Sequence, residues 1–246
     1  AIAPLLEGCD LLGVAQTGTG KTAAFALPLL SRLDPKLKAV QILCLAPTRE
    51  LAIQVADAME NFSANIPGLS ILPVYGGTGY SEQIRELKRG AQVVVGTPGR
   101  VMDHVQKKYM KLDQVKALVL DEADEMLSMG FADDLEYIVE QMNPDHQTLL
   151  FSATMPKHVQ KLANKILEDP EEIRASGKEE RPPSLVKQFV MICTLRQRVD
   201  AIEKLLLAWQ PSAAIIFCKT RNRVETVADI LRPKGAEALH GGMPQA

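Results

Sequence analysis

Short runs of Val, Ile and Leu recur along the chain, separated by amphipathic stretches: DLLGVA (10–15), QILCLA (41–46), ILPVY (71–75), AQVVVG (91–96), ALVLD (117–121) and TLLFSA (148–153). Runs this short and this uniformly apolar read as strands buried on both faces. Helical spacing fills the intervals, from Thr22 to Arg32, Glu50 to Ala64, Ser81 to Lys88, Val101 to Lys108 and Pro156 to Leu167. Strand and helix alternating through short connections imply parallel strands joined by right-handed crossovers, with helices covering both faces of an open α/β sheet.

At 246 residues the chain exceeds one ordinary domain. The pattern is interrupted at ASGKEERPPS (175–184), a charged segment with Pro182 and Pro183 and no periodicity, which reads as a linker. After it the pattern restarts: a strand in LVKQFVMI, a helix from Arg196 to Trp209, a strand in AAIIFC, a helix from Thr220 to Leu231 and a strand in AEALH. The expected organisation is one α/β domain over 1–174, a linker over 175–184 and part of a second α/β domain over 185–246. About three strands are too few to close a covered sheet, so the chain reads as a fragment.

With 46% hydrophobic and 24% charged residues, the composition is that of a globular protein. No apolar run approaches the roughly 20 residues of a membrane helix. AIAPLLEG lacks the basic start and apolar core of a secretory signal, so the cytoplasm is the expected compartment. Cys9, Cys44, Cys193 and Cys218 are far apart, with no zinc spacing, so neither a structural metal nor a disulfide framework is expected; Cys44 and Cys218 lie in apolar runs and read as core. His104, His146 and His158 read as ordinary surface positions. A net charge of −2 offers no general attraction to nucleic acid, so any such contact must come from particular loops.

Ala15, Gln16, Thr17, Gly18, Thr19, Gly20, Lys21 and Thr22 stand directly between an apolar strand and a helix beginning TAAFALPLL. This is the context a phosphate loop requires. Glycines let successive N–H groups face an anion, the helix N-terminus adds its positive dipole end, Lys21 can reach the β and γ phosphates, and the Thr22 hydroxyl can ligate Mg²⁺. Ala15 stands where the strict pattern has glycine. The alternative is a glycine-rich turn capping an ordinary helix; the order strand, loop, Lys-Thr, helix favours the phosphate loop.

ALVLDEAD (117–124) is an apolar strand that ends in carboxylates. Beside a phosphate loop, Asp121 can hold Mg²⁺ and Glu122 can orient an attacking water. Alone, the segment also suits a solvated acidic helix start.

With these blocks in place, the chain resembles the DEAD-box RNA helicases. The resemblance extends over PTRELA (47–52), Gly76-Gly77, TPGR (97–100), SAT (152–154), IIFCKT (215–220) and LHGGMPQ (239–245), and its wording is most similar to the bacterial cold-shock and ribosome-assembly branch. It implies two RecA-like domains that close over ATP and RNA. It also implies RNA phosphate and 2′-hydroxyl contacts from Pro47, Thr48, Arg49, Gly77, Thr97, Gly99 and Arg100, with little sequence specificity. Asp124, Ser152 and Thr154 would couple the two sites, and ribosomal or mRNA complexes would be the targets. His240 falls in the last block without a catalytic role. The family's adenine-reading segment and its arginine finger are not in this sequence, so weak turnover is expected of the chain alone, an arginine finger being worth roughly 10³ to 10⁵ in rate. A phosphate-loop ATPase acting on something other than RNA, and a non-catalytic clamp, are the rival readings.

Overall fold

The computed structural model describes residues 2–16, 18–174, 187 and 189–243. The chain divides into two compact units, Ala1–Glu180 and Arg181–Ala246.

The first unit runs α1 (Ile2–Glu7), β1 (Leu11–Val14), α2 (Lys21–Arg32), β2 (Ile42–Leu45), α3 (Arg49–Phe62), β3 (Ile71–Val74), α4 (Tyr80–Arg89), β4 (Val93–Gly96) and α5 (Pro98–Gln106). It continues with β5 (Ala117–Leu120), α6 (Ala123–Ser128), α7 (Ala132–Glu140), β6 (Gln147–Ser152), α8 (Lys157–Ile166) and β7 (Glu171–Arg174). The seven strands form one sheet in the order β3-β4-β2-β5-β6-β1-β7, every pairing parallel. The six apolar runs are its first six strands. The seventh, EEIR, is polar and mostly exposed. As an edge strand it presents charge where an apolar sequence would invite pairing with another chain.

Burial follows the pleat. Leu43, Leu45, Val94, Leu118, Leu120 and Leu150 point to one face, where Val101 of α5, Met126 of α6, Leu135 and Ile138 of α7 and Val159 of α8 cover them. Ile42, Cys44, Val93, Val95, Val119, Leu149 and Phe151 point to the other, under Leu5 of α1, Phe25 and Leu29 of α2, and Val55 and Met59 of α3. β2, β4, β5 and β6 are buried at every position, as a sheet covered on both faces requires. Burial pushes the Cys44 thiol far above its ordinary range, and Asp121 adds to it, so Cys44 behaves as a small hydrophobe.

The second unit contains α8's successors in the chain, α9 (Arg198–Trp209) and α10 (Arg221–Leu231). Thr220 caps α10, its hydroxyl accepting from the Arg223 amide. The strands expected in LVKQFVMI, AAIIFC and AEALH are not formed among the described residues, and Ile192 and Phe217 are 98% and 93% exposed. A strand requires a hydrogen-bonded neighbour, and among the described residues these runs find none. Cys218 is accordingly half-exposed rather than core. The linker expected at 175–184 lies outside the described residues, as do Thr17 and, in LHGGMPQ, Pro244 and Gln245.

His104 is the other correction. It is fully buried, on the same side of α5 as Pro98 and Val101.

Gly96 ends β4 against backbone: a Cβ there would stand 2.5 Å from the Val74 carbonyl oxygen and 2.6 Å from Val101 Cγ2. The ladder cannot yield at that point. Gly96→Ala is expected to cost about 1–3 kcal/mol of stability, measured by chemical denaturation of the protein.

Candidate functional site

Because all strands run the same way, their carboxyl ends form one edge, and the expected site residues follow them on it. Ladder hydrogen bonds carry the order past the strands. The Ala15 amide donates to the Ser152 carbonyl at 3.0 Å, Asp121 to Leu45 at 2.9 Å, Ala46 to Gly96 at 2.9 Å and Thr97 to Val74 at 3.0 Å. Read along the edge, the loops stand in the order Gly76-Gly77, Thr97–Arg100, Pro47–Arg49, Asp121–Asp124, Ser152–Thr154 and 15–22. Ligands of open α/β sheets bind at this edge.

The loop before α2 turns through Gly18 and Gly20, at φ +78° and +84°, a conformation an L side chain adopts only under strain. Nothing lies within 4 Å of where a Cβ would stand on either. Gly20 is the N-cap of α2 and offers no side chain to the first-turn amides, which are left for an anion. Thr19 Oγ1 donates to the Gln16 carbonyl at 2.8 Å and closes the turn.

Lys21 Nζ lies 3.4 Å from Asp121 Oδ1 across β1 and β5. Both atoms are buried and neither has a hydrogen-bond partner. Two opposite charges held close but unbonded in a buried place leave polar capacity for a third group between them. They line a recess of about 370 Å³ with Gly18, Gly20, Thr22, Gln54 and Glu122. A larger hollow of about 710 Å³ lies at the opposite, amino edge of the sheet, around Cys9, Asp10, Lys116 and Gln147. Its Asp10 carboxylate is already committed to structure, accepting from the Thr148 amide at 2.7 Å and the Glu168 amide at 2.8 Å. The smaller recess is the one that gathers the expected site residues Gly18, Gly20, Lys21, Thr22, Asp121 and Glu122.

Glu122 is the N-cap of α6 and sits at φ +56°, ψ +52°, left-handed and strained for a residue with a side chain. Burial, then the Asp121 charge, pushes its carboxyl above the usual range against the opposing pull of Lys21. Asp124, two residues on, goes the other way. Burial pushes it up, but hydrogen bonds from the Thr154 hydroxyl and amide outweigh this and hold it below the usual range. Its Oδ2 accepts from the Thr154 amide at 3.0 Å and the Thr154 hydroxyl at 2.7 Å, and Ser152 Oγ donates to the Thr154 carbonyl at 2.6 Å. This ties the loop after β6 to the one after β5.

On the other side of β5, Thr48 caps α3 by accepting from the Leu51 amide at 3.3 Å, whereas Thr97 leaves the first turn of α5 without a side-chain cap. Arg49 Cζ lies 5.0 Å from the Tyr75 ring centroid, with Nη1 near Gly77. Arg100 donates from Nε to the Tyr75 carbonyl at 3.1 Å and from Nη2 to the Thr78 carbonyl at 3.3 Å. Asp134 of α7 approaches Gly99, which has no room for a side chain without displacing that carboxylate. Tyr75, Gln83 and His104, which support this region, were not legible as functional from sequence; the one signal was that His104 follows Val101 at helical spacing on the buried side of α5.

The sheet and the glycine-turned loop at its carboxyl edge define a RecA-like α/β domain. The chain belongs to the DEAD/DEAH box helicase family, whose model matches residues 1–162. It is 48% identical over 244 residues to the ATP-dependent RNA helicase DeaD of Escherichia coli (strain K12), covering 98% of this chain and 39% of that one. It is 47% identical over 243 residues to the ATP-dependent RNA helicase CshA of Listeria monocytogenes, covering 98% of this chain and 46% of that one. The chain thus spans about two fifths of the length of these relatives. A crystal structure of a DEAD box protein from the hyperthermophile Methanococcus jannaschii matches it with a TM-score of 0.69 at 38% identity, over 99% of this chain and 66% of that one.

Because folded Asp124 ionises more readily than it does in the unfolded chain, its contribution to stability is present above the unfolded pKa and is lost as pH falls through the folded one. Thr154→Val removes one donor. It is expected to cost about 1 kcal/mol at neutral pH and to move the Asp124 carboxyl upward in a carbon-detected NMR titration; an unmoved carboxyl would contradict the bond's role.

Proposed function

We propose that this chain is the nucleotide-binding lobe of an ATP-dependent RNA helicase, holding ATP and Mg²⁺ on residues 15–22 and gripping RNA on the loops beside it. The observation that carries the reading is the single row of loops, in which the buried, unbonded Lys21–Asp121 pair stands beside the Asp124–Thr154 bridge and the Arg49, Gly77 and Thr97 loops. The relatives bearing the name ATP-dependent RNA helicase support it.

In this reading Lys21 reaches the β and γ phosphates and the amides of Gly18 to Lys21 cradle them. Thr22 and Asp121 would hold Mg²⁺, which when bound supplies positive charge to the phosphate oxygens. The buried Asp121 oxygen, paired with Lys21 but without a hydrogen bond, suits such a ligand. Glu122 orients the attacking water and takes its proton; the backbone strain at Glu122 is consistent with a residue held for chemistry rather than for stability. RNA phosphates and 2′-hydroxyls meet Pro47, Thr48, Arg49, Gly77, Thr97, Gly99 and the remaining donors of Arg100. The uncapped first turn of α5 suits a phosphate. Backbone and sugar contacts predict weak sequence preference. Asp124, Ser152 and Thr154 join the two sites, so that closure on RNA alters the position of Glu122. The segment 185–246 is read as belonging to a second RecA-like lobe behind a linker at 175–184. The cytoplasm is the proposed compartment, and ribosomal or messenger RNA complexes are the proposed targets.

ATP turnover with and without duplex RNA tests this, measured on the chain and on a form extended to the relatives' length. RNA-stimulated turnover, reduced by about 10² or more in Glu122→Gln with nucleotide affinity retained, is expected. Turnover that ignores RNA would favour an ATPase acting on another target. Glu122 binds its proton more tightly folded than unfolded, so its contribution favours the fold at low pH and is lost as pH rises through the folded pKa. Glu122→Gln should therefore raise the thermal midpoint at pH 7 while it removes turnover, and the gain should vanish in acid.

A further inference from the structure

A buried polar chain lies beneath the Gly76-Gly77 turn, and nothing in the chemistry above uses it. His104 on α5 is fully buried, with Nε2 2.8 Å from Gln83 Oε1 on α4, and Gln83 is itself only 4% exposed. The other end of the Gln83 amide donates to the Tyr75 carbonyl at 3.1 Å and to Thr78 Oγ1 at 2.9 Å. With its NH₂ committed to two oxygens, Gln83 can only accept from the imidazole, so His104 carries its proton on Nε2. Its Nδ1 is then a bare acceptor, buried and without a partner. Burial, followed by the Arg100 charge, lowers the His104 pKa and keeps the ring neutral.

The chain converges on one atom. The Tyr75 carbonyl oxygen accepts from Gln83 Nε2, from Arg100 Nε at 3.1 Å and from the Thr78 hydroxyl at 3.2 Å. That carbonyl belongs to the peptide bond entering Gly76. Gly76 has no neighbour within 4 Å of its would-be Cβ, and Gly77 stands at φ +84°. Two exposed glycines have the greatest backbone freedom available and no side chains by which to be held. The flanking Tyr75 carbonyl, with three donors on it, is a point at which their geometry can be held. Apolar side chains would fill the space under α4 and α5 without the desolvation that a buried His and Gln incur. What the polar pair adds is direction. Tyr80 stacks on His104 at 4.6 Å between centroids, and Arg100 Cζ lies 4.8 Å from the Tyr80 ring centroid, so the same pair also backs the guanidinium.

We infer that His104 and Gln83 are positioning residues for RNA: the His104–Gln83–Tyr75 chain sets the Gly76-Gly77 turn and the Arg100 guanidinium without touching RNA itself. The inference rests on the RNA reading proposed above.

The test measures binding of a labelled single-stranded oligouridylate by anisotropy, and of ATP by calorimetry. The variants are His104→Leu, Gln83→Leu, His104→Gln and Arg49→Ala. Losing the donor or the relay should weaken RNA binding about tenfold and leave ATP affinity within about twofold, whereas His104→Gln, whose amide can again donate to Gln83, should restore most of the loss. A parallel fall in RNA and ATP affinity would mean general loosening and would overturn the positioning role. Unchanged RNA affinity in His104→Leu with a loss in Arg49→Ala would overturn it too, leaving the RNA reading intact. Unchanged RNA affinity in all four variants would overturn both.

Discussion

A parallel sheet delivers every strand's carboxyl end to the same edge, and the arrangement of this molecule depends on that constraint. β1 and β5 are far apart in sequence, yet the ladder leaves only β6 between them and brings Lys21 within 3.4 Å of Asp121. The helices α2, α3 and α5 begin on the same edge, so their unsatisfied amides face the same side as the loops. At the amino edge the polar side chains serve the fold instead, with Asp10 fastening the starts of β6 and of the segment before β7. The candidate site residues and the structural polar residues are thus separated by strand polarity.

Within four residues the environment drives two carboxylates apart. Glu122 is pushed up by burial and by its neighbour Asp121, while Asp124 is pulled down by the hydroxyl and amide of Thr154. In the proposed reading one takes a proton and the other stays ionised as a fixed acceptor, a difference set by surroundings rather than by residue type. The strained backbone at Glu122 and the unbonded Lys21–Asp121 pair are departures from the most stable arrangement, and they fall at the site where local rules are expected to give way.

The far end of the edge works differently. Its turn is glycine, and its geometry is held from below by side chains of α4 and α5 acting on the Tyr75 carbonyl. Arg100 belongs partly to this scaffold: two of its donors are taken by the turn, so its part in any contact with RNA cannot be separated from its part in shaping the loop.

The local content of the fold was legible in the sequence. Six apolar runs became six strands, and strand, glycine loop and Lys-Thr appeared together in AQTGTGKT because each is a statement about neighbouring residues. What pattern could not supply was pairing. EEIR has no strand composition and became β7 because β1 offered it an open edge. KQFVMI and AAIIFC have that composition and found no neighbour among the described residues. His104 looked like a surface residue until Gln83, twenty-one positions away, supplied an acceptor that made burial tolerable. The sequence alone determined which segments favour extended backbone, which helix begins after a glycine turn with Lys-Thr and which carboxylates end a strand. Tertiary structure decided which of them meet, because hydrogen-bond partners and the burial of charge depend on distance through space, which no local pattern encodes.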